Sequence, residues 1–206
     1  MRIALSKLGK KYNRQWIFRG IDYVFEEGKS YALTGNNGSG KSTLLQIIYN
    51  FQTHSEGSVE YKRQASVIAE DQLLTHLSFT APYLELAEEF TLNEAIRFHF
   101  NFKQVRAGHS FSEIITSCGL KGHEEKQVKK FSSGMKQRLK LALAIHSDTS
   151  LLLLDEPCSN LDESGISWYR NLMQEGRQGR TVIIASNQKF EYDFCDAVLK
   201  MEDYKQ

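Results

Sequence analysis

Short apolar segments and amphipathic helical patterns alternate along this chain. The first apolar segments, Arg2 to Leu5, Ile21 to Phe25 and Ser30 to Thr34, have the length of strands and end at turn residues. Residues 42–50 then carry leucine and isoleucine at positions that indicate a helix buried on one side. The pattern therefore predicts a strand, a glycine-rich loop and a helix in that order.

The second half of the chain continues the alternation. A capping-box spacing at Thr91 opens a predicted helix, because Glu94 follows three residues later. The predicted elements are a helix over Leu92–Lys103, a helix over Ser132–His146, a strand over Leu151–Leu154, a helix over Glu163–Gln174 and a strand over Thr181–Ala185. Strands that alternate with helices predict an α/β fold with a mostly parallel core sheet flanked by helices.

Composition narrows the class of protein. The chain has 206 residues, with 26 Lys and Arg against 25 Asp and Glu, so its formal charge is +1. A nearly neutral chain has no long-range field that attracts nucleic acid or anionic lipid. No apolar stretch has the length of a membrane span, and the N-terminus lacks the apolar centre of a secretory signal, so we expect a cytoplasmic protein. The three cysteines are widely separated and favour neither a disulfide framework nor a zinc site.

A phosphate-binding loop follows the third apolar segment. Residues 35–43 read GNNGSGKST and satisfy the pattern G-x-x-x-x-G-K-[ST] between a strand and a helix. Its glycines let backbone N–H groups turn onto phosphate oxygens, Lys41 supplies a cation, and Ser42 supplies a hydroxyl for magnesium. The residues expected to bind ATP here are Gly35, Asn36, Asn37, Gly38, Ser39, Gly40, Lys41, Ser42 and Thr43.

Two acids follow the strand predicted over residues 151–154. Asp155 and Glu156 would emerge at the carboxyl edge of the sheet, where ligands bind in such folds. We expect Asp155 to hold Mg²⁺ together with Ser42, through a bound water. Glu156 is expected to polarise the attacking water, which makes it the main catalytic candidate.

Further segments resemble the nucleotide-binding domain of ATP-binding-cassette (ABC) proteins, in order over nearly the whole chain. Phe131–Met135 is similar to the family's signature segment, and Cys158–Asp162 is similar to its loop that couples two domains. By this resemblance, Tyr12 stacks on adenine. The family pairs two domains head to tail, so Ser132 and Gly134 of one copy would contact the γ-phosphate held by the other.

The resemblance also implies an architecture. The expected fold is a phosphate-loop NTPase of the ABC ATPase type, with an N-terminal antiparallel β subdomain and a helical subdomain. The chain would be one domain over residues 1–206, with the helical subdomain inserted at approximately 83–147. ATP would hold two copies together as a homodimer, and hydrolysis would release them.

The chain departs from the family's pattern at three places. In the signature, Ser133 replaces the usual glycine and Met135 the usual glutamine. The metal- and water-sensing glutamine is absent from the segment SFTAPYLEL at residues 78–86. Asn187 stands where a histidine usually contacts the γ-phosphate, and an amide can donate a hydrogen bond but cannot become cationic. We therefore expect slow hydrolysis carried mainly by Glu156, with Asn187 and Lys41 assisting.

The function expected from these features is the ATPase subunit of an ABC transporter, of the exporter type, that energises separate transmembrane permease subunits. It would sit on the cytoplasmic face of the membrane through its permease partner. Tyr83, Leu84 and Phe98 are candidates for the groove that receives a short helix of the permease.

Alternatives are a soluble ABC ATPase that acts on ribosomes or DNA, or a slow nucleotide-gated regulatory dimer. The bases and aromatics of Arg97–Phe111 also permit a nucleic-acid reading, but packing of Ile96 and Phe102 in a helix core is favoured, and no nucleic-acid partner is expected.

Overall fold

Two sheets form the framework of the protein. A computed structural model describes residues 1–205. The strands are β1 (Arg2–Tyr12), β2 (Gln15–Phe25), β3 (Ser30–Thr34), β4 (Glu56–Arg63), β5 (Ser66–Val67), β6 (Leu77–Thr80), β7 (Leu151–Asp155), β8 (Thr181–Ala185) and β9 (Ala197–Lys200). Antiparallel strands form one sheet in the order β2-β1-β4-β5, and parallel strands form the other in the order β6-β7-β8-β3-β9. The predicted combination of a parallel core and an N-terminal antiparallel sheet is confirmed.

Apolar runs place β7 and β8 at the centre of the parallel sheet. Every residue of LLLLD in β7 and of TVIIA in β8 is buried. Strands of a parallel sheet are covered by helices on both faces, so side chains that point to either face must be apolar. The two strands run in register, with Asp155 paired to Ala185, and their carboxyl ends therefore lie at the same edge.

Helices connect and cover the strands. They are α1 (Lys41–Ile48), α2 (Glu70–His76), α3 (Leu92–Phe100), α4 (Phe111–Ser117), α5 (Ser133–His146), α6 (Glu163–Gly176) and α7 (Lys189–Tyr192), with short 3-10 turns at Val128–Lys130 and Met201–Tyr204. The capping box at Thr91 is present, and Ser110 forms a second one. Within residues 1–205, no helix is both long enough and apolar enough to cross a membrane.

A separate apolar core joins α3, α4 and α5. Its buried members include Leu92, Ile96, Ile114, Leu120 and Leu139. The expectation that Phe102 packs in this core is wrong, because its side chain is 72% exposed. Helix α3 ends at Phe100, so the helical spacing no longer applies two residues later, and the Phe102 ring packs only edge-on against exposed Phe98.

Two histidines lie where this core meets the end of α5, and of these His146 is buried and His99 is partly buried. His99 is hydrogen-bonded to the Ser147 hydroxyl at 2.9 Å, and His146 to the Ser117 hydroxyl at 2.8 Å. Burial lowers the pKa of each histidine to about 4, and neighbouring cations act in the same direction. Both imidazoles are therefore neutral in the folded protein at neutral pH.

The free energy of unfolding should therefore decrease as the pH is lowered. The decrease should begin at a pH where these two histidines are still unprotonated in the folded protein. Histidine in the unfolded chain titrates near ~6.5, so protons bind the unfolded state first and the free energy of unfolding declines from about pH 6.5 down to about pH 4. Replacing His146→Gln keeps a hydrogen-bonding side chain and removes the titration. We expect the loss of unfolding free energy between pH 7 and pH 5, measured by urea denaturation, to shrink by on the order of 2 kcal/mol. The exposed His54→Gln is the control, and an unchanged pH slope in His146→Gln would contradict the assignment.

Candidate functional site

The glycine-rich loop between β3 and α1 has a backbone shape that requires glycine. Gly35, Gly38 and Gly40 have φ values of 143°, 78° and 96°. A Cβ on Gly40 would lie 2.7 Å from the Ile17 side chain and 2.8 Å from the Phe18 ring. The loop therefore lies directly on β2, with no room for a side chain between them.

Lys41 and the start of α1 give this loop its positive character. The Lys41 side chain is buried, and its Nζ donates to the Gly35 carbonyl oxygen at 2.5 Å and to the Asn36 carbonyl oxygen at 3.3 Å. Gly40 precedes α1 without a side-chain cap, and the first turn of α1 contains no acid. Free N–H groups at a helix N-terminus favour anions, so this end of α1 suits phosphate.

The acidic strand end faces the same place. Asp155 is 2% exposed, and neither carboxylate oxygen has a hydrogen-bond partner among residues 1–205. Burial raises the pKa of Asp155, and the nearby Ser42 hydroxyl is the largest influence that lowers it. Buried carboxylates are normally paired or bound to a metal, and Mg²⁺ prefers oxygen ligands. Asp155 and Ser42 therefore fit a magnesium site.

Glu156 follows in an unusual backbone conformation. Its φ is 42°, and its N–H donates to the Ala185 carbonyl oxygen at 2.9 Å. A residue other than glycine in this region costs of order 1–3 kcal/mol and is held there by its surroundings. The exposed Glu156 side chain is thereby directed away from the core at the edge where β7 and β8 end.

Asn187 makes contact with the glycine-rich loop itself. Its Oδ1 accepts from the Gly35 N–H at 3.3 Å, and its Nδ2 donates to the Asn37 side-chain oxygen at 3.3 Å. The structure thus brings Asn187 together with the loop, as the sequence position after β8 predicts. The amide is engaged on both sides, so it also holds the loop in place.

Sequence reasoning missed Glu202, which also holds the loop. Its Oε1 accepts a hydrogen bond from the Asn36 N–H at 2.6 Å, and this bond lowers the pKa of Glu202. The two residues are 166 positions apart. No local pattern signals the contact, because only the neighbouring positions of β3 and β9 in the sheet bring them together.

Ser132 and Gly134 lie elsewhere on the chain's surface. The Ser132 hydroxyl oxygen accepts from the Met135 N–H at 3.2 Å and so caps α5, while Gly134 approaches the Asn160 carbonyl oxygen. No hydrogen bond described for residues 1–205 joins either residue to the glycine-rich loop. The signature residues are therefore grouped with the segment Cys158–Asp162, and not with the loop of their own chain.

Tyr12 lies at the end of β1, on the hairpin that contacts the loop through Phe18. Its ring is 44% exposed, and the Lys10 ammonium lies 4.9 Å from its centroid. The hydroxyl accepts a hydrogen bond from Gln52. The exposed part of this aromatic ring is available for stacking.

A strand, a phosphate loop and a helix beside an acidic strand end define the phosphate-loop class of nucleotide-binding folds. The family model described as "ABC transporter" matches residues 18–159, more than half of the chain. The chain therefore belongs to the ABC transporter family, which confirms the resemblance seen in the sequence.

Similar proteins agree with this membership. The uncharacterized ABC transporter ATP-binding protein YybJ of Bacillus subtilis (strain 168) is 32% identical over 207 residues, covering 97% of this chain and 92% of YybJ. The lantibiotic transport ATP-binding protein SrtF of Streptococcus pyogenes is 30% identical, covering 90% and 80% of the two chains. The dimeric post-hydrolysis structure of the ATP-binding cassette MJ0796, bound to ADP and Pi, aligns with a TM-score of 0.82 at 20% identity, covering 98% and 94%.

The Glu202 contact predicts an effect on nucleotide affinity. Glu202→Ala leaves the Asn36 N–H without its acceptor, which loosens the loop, so we expect ATP to bind about three- to tenfold more weakly. Glu202→Gln keeps an acceptor oxygen and should lose less. Titration calorimetry with ATP measures both, with Asp203→Ala as the exposed neighbouring control. Tighter binding by Glu202→Ala would show that the carboxylate acts on the phosphates by repulsion instead.

Proposed function

We propose that this chain is the ATP-hydrolysing subunit of an ABC transporter and energises export through separate transmembrane subunits. The observation that carries the proposal is the meeting of Lys41, Ser42, Asp155 and Glu156 at one edge of the sheet. We propose further that residues 1–206 form a single ATPase domain, with the helical subdomain at about 83–147 built on the core of α3, α4 and α5. Membership of the ABC transporter family and the transport relative SrtF support this assignment.

The residues of the loop bind the phosphates in this proposal. The backbone N–H groups from Gly38 to Thr43 face the β- and γ-phosphates, and Lys41 exchanges its bonds to the loop carbonyls for phosphate oxygens. Ser42 and Asp155 hold Mg²⁺, Asp155 through water, and the ion supplies positive charge against the phosphate oxygens. Tyr12 stacks on the adenine.

Glu156 polarises the water that attacks the γ-phosphate, which yields ADP and phosphate. Its strained backbone directs the carboxylate toward the site. The hydrogen bond from the Glu156 N–H to the Ala185 carbonyl oxygen holds the backbone in this conformation. Asn187 donates one amide hydrogen bond to the phosphates but carries no charge. Hydrolysis is therefore slow compared with a site that has imidazole at this position.

A second copy completes the site. Ser132 and Gly134 are remote from the loop of their own chain, and the Ser132 oxygen accepts its capping bond, which leaves its O–H free to donate. The first turn of α5 contains no acid, so its N-terminus suits a phosphate held by the partner. The structure of the similarly folded ATP-binding cassette MJ0796 is dimeric, which supports the pairing of two copies.

Exposed apolar side chains provide a candidate contact surface for the permease. Tyr83, Leu84 and Phe98 are 50%, 37% and 49% exposed, and Phe102, which packs edge-on against Phe98, is 72% exposed. Solvent-exposed apolar clusters of this kind mark interaction surfaces. We assign this patch to a short helix of the transmembrane subunit, which would hold the protein at the cytoplasmic face of the membrane.

Blocking hydrolysis should reveal the dimer. Glu156→Gln retains the shape of the side chain but removes the carboxylate that polarises water, so ATP and Mg²⁺ should accumulate a stable dimer. Size-exclusion chromatography with light scattering measures the mass with and without ATP. The matched control, Glu156→Gln with Lys41→Ala, should stay monomeric because it lacks the phosphate cation. A monomer under all conditions would rule out ATP-dependent pairing.

The same trapped protein tests the partner. Tagged Glu156→Gln with ATP, captured from its own cells in mild detergent, should retain a polytopic membrane protein in stoichiometric amount, identified by mass spectrometry. Adding Phe98→Asp should lower its recovery at least about fivefold, because a charge in an apolar contact costs more than 1 kcal/mol. Recovery of ribosomal proteins or DNA-repair factors without a membrane protein would favour a soluble ABC ATPase. Dimerisation of Glu156→Gln without any partner, together with ATPase turnover of the unsubstituted protein no higher than that of the Glu156→Gln blank, would favour a nucleotide-gated regulatory dimer.

A further inference from the structure

The loop after β6 leads to the same edge of the sheet as Asp155. Strand β6 pairs with β7 in parallel, and Thr80 is aligned with Leu154. The residue after Thr80 therefore lies level with Asp155, and Tyr83 follows two positions later. The topology thus brings the Tyr83 side chain within reach of the buried carboxylate, although 72 positions separate the two in sequence.

Helix α1 fixes where the Tyr83 hydroxyl points. The Gln46 Nε2 donates to the Tyr83 hydroxyl oxygen at 2.8 Å. Gln46 follows Ser42 by four residues, about one turn of helix, so the two side chains lie on the same face of α1. The Tyr83 ring also packs at 6.4 Å from the Phe79 ring of β6. Tyr83 is therefore held beside the two residues that fit magnesium, while its outer edge stays exposed.

The Tyr83 O–H group is not used in the hydrogen bond with Gln46. Since the hydroxyl oxygen accepts from Gln46, its O–H can donate toward Asp155. The negative charge of Asp155 raises the pKa of Tyr83, after the larger effect of burial, and the Tyr83 hydroxyl lowers the pKa of Asp155. Neither Asp155 oxygen has a hydrogen-bond partner among residues 1–205, so both keep their capacity to accept from a donor or to bind a metal ion.

We infer that Tyr83 is a positioning residue for the magnesium ion, whose hydroxyl orients Asp155 or a water bound to the metal. This inference rests on the proposed function, because it concerns the metal that accompanies ATP. A hydroxyl in this position sets the direction of the Asp155 oxygens. Partners of metal ligands commonly change metal affinity by about 10- to 100-fold.

The same loop is attached to the helix that bears the signature residues. Lys140 Nζ of α5 donates to the carbonyl oxygens of Ala81 and Pro82, at 3.1 Å each. Burial lowers the pKa of Lys140, and the neighbouring Lys136 ammonium acts in the same direction. A shift of Tyr83 on metal binding would therefore move the backbone that α5 grips. Tyr83 links the metal site to the surface that meets the second copy.

The test separates binding of metal from binding of ATP. A fluorescent ATP analogue (mant-ATP) is titrated onto the Glu156→Gln protein in EDTA and then with increasing Mg²⁺. Tyr83→Phe removes only the hydroxyl. We expect unchanged binding in EDTA and an approximately tenfold higher Mg²⁺ concentration at half-maximal enhancement. Tyr49→Phe is the matched control, because the Tyr49 ring packs on the same Phe79 ring, with 4.9 Å between the ring centroids. This variant should retain the Mg²⁺ midpoint of the Glu156→Gln parent.

Two outcomes would overturn the inference. The first is a Mg²⁺ midpoint in Tyr83→Phe equal to that of the parent. The second is an equal weakening in EDTA and in Mg²⁺, which would show that the hydroxyl merely braces α1 through Gln46. Failure of the parent protein to bind the analogue under either condition would instead refute the proposed function.

Discussion

The arrangement of the site depends on one buried negative charge. Asp155 is removed from water at the carboxyl end of β7, and burial of a carboxylate costs several kcal/mol unless cationic or donor groups offset it. Lys41 and Ser42 approach it from the first turn of α1, and Tyr83 approaches it from the loop after β6. None of them bonds to it directly, so the carboxylate remains a strong ligand for a cation. The surrounding elements are placed to make that charge tolerable.

Helix α5 connects the two sides of this arrangement. Lys140 grips the loop that carries Tyr83, and one turn earlier Gln137 donates to the Pro157 carbonyl oxygen at 2.7 Å. The next residue, Cys158, donates its N–H to buried Glu191 at 2.7 Å. One rigid helix thus contacts the segments that follow both β6 and β7. In the proposed dimer, Ser132, which caps α5, would carry any movement of those segments toward the nucleotide bound by the second copy.

The sequence predicts the parts of the site that are local in the chain. The loop at residues 35–43 and the two acids at the end of β7 can be recognised in the sequence, because each motif is defined by residues only a few positions apart. The bond from Glu202 to Asn36 and the bond from Gln46 to Tyr83 could not be predicted, since the packing of distant elements creates them. Phe102 was misplaced for a related reason: the periodicity of α3 does not show where the helix ends. Strand β4 was not predicted, because it is largely exposed and lacks the apolar run that marks β7.

The close packing of Gly40 on β2 gives the antiparallel sheet a share in the chemistry. Ile17 and Phe18 lie outside the loop in sequence, yet they form the surface against which the phosphate loop packs. A genetic screen for loss of nucleotide binding should therefore return enlarged or polar side chains at Ile17 and Phe18 alongside changes in the loop itself. Seen in sequence alone, such alleles would look like distant second-site effects, although they act across a single van der Waals contact.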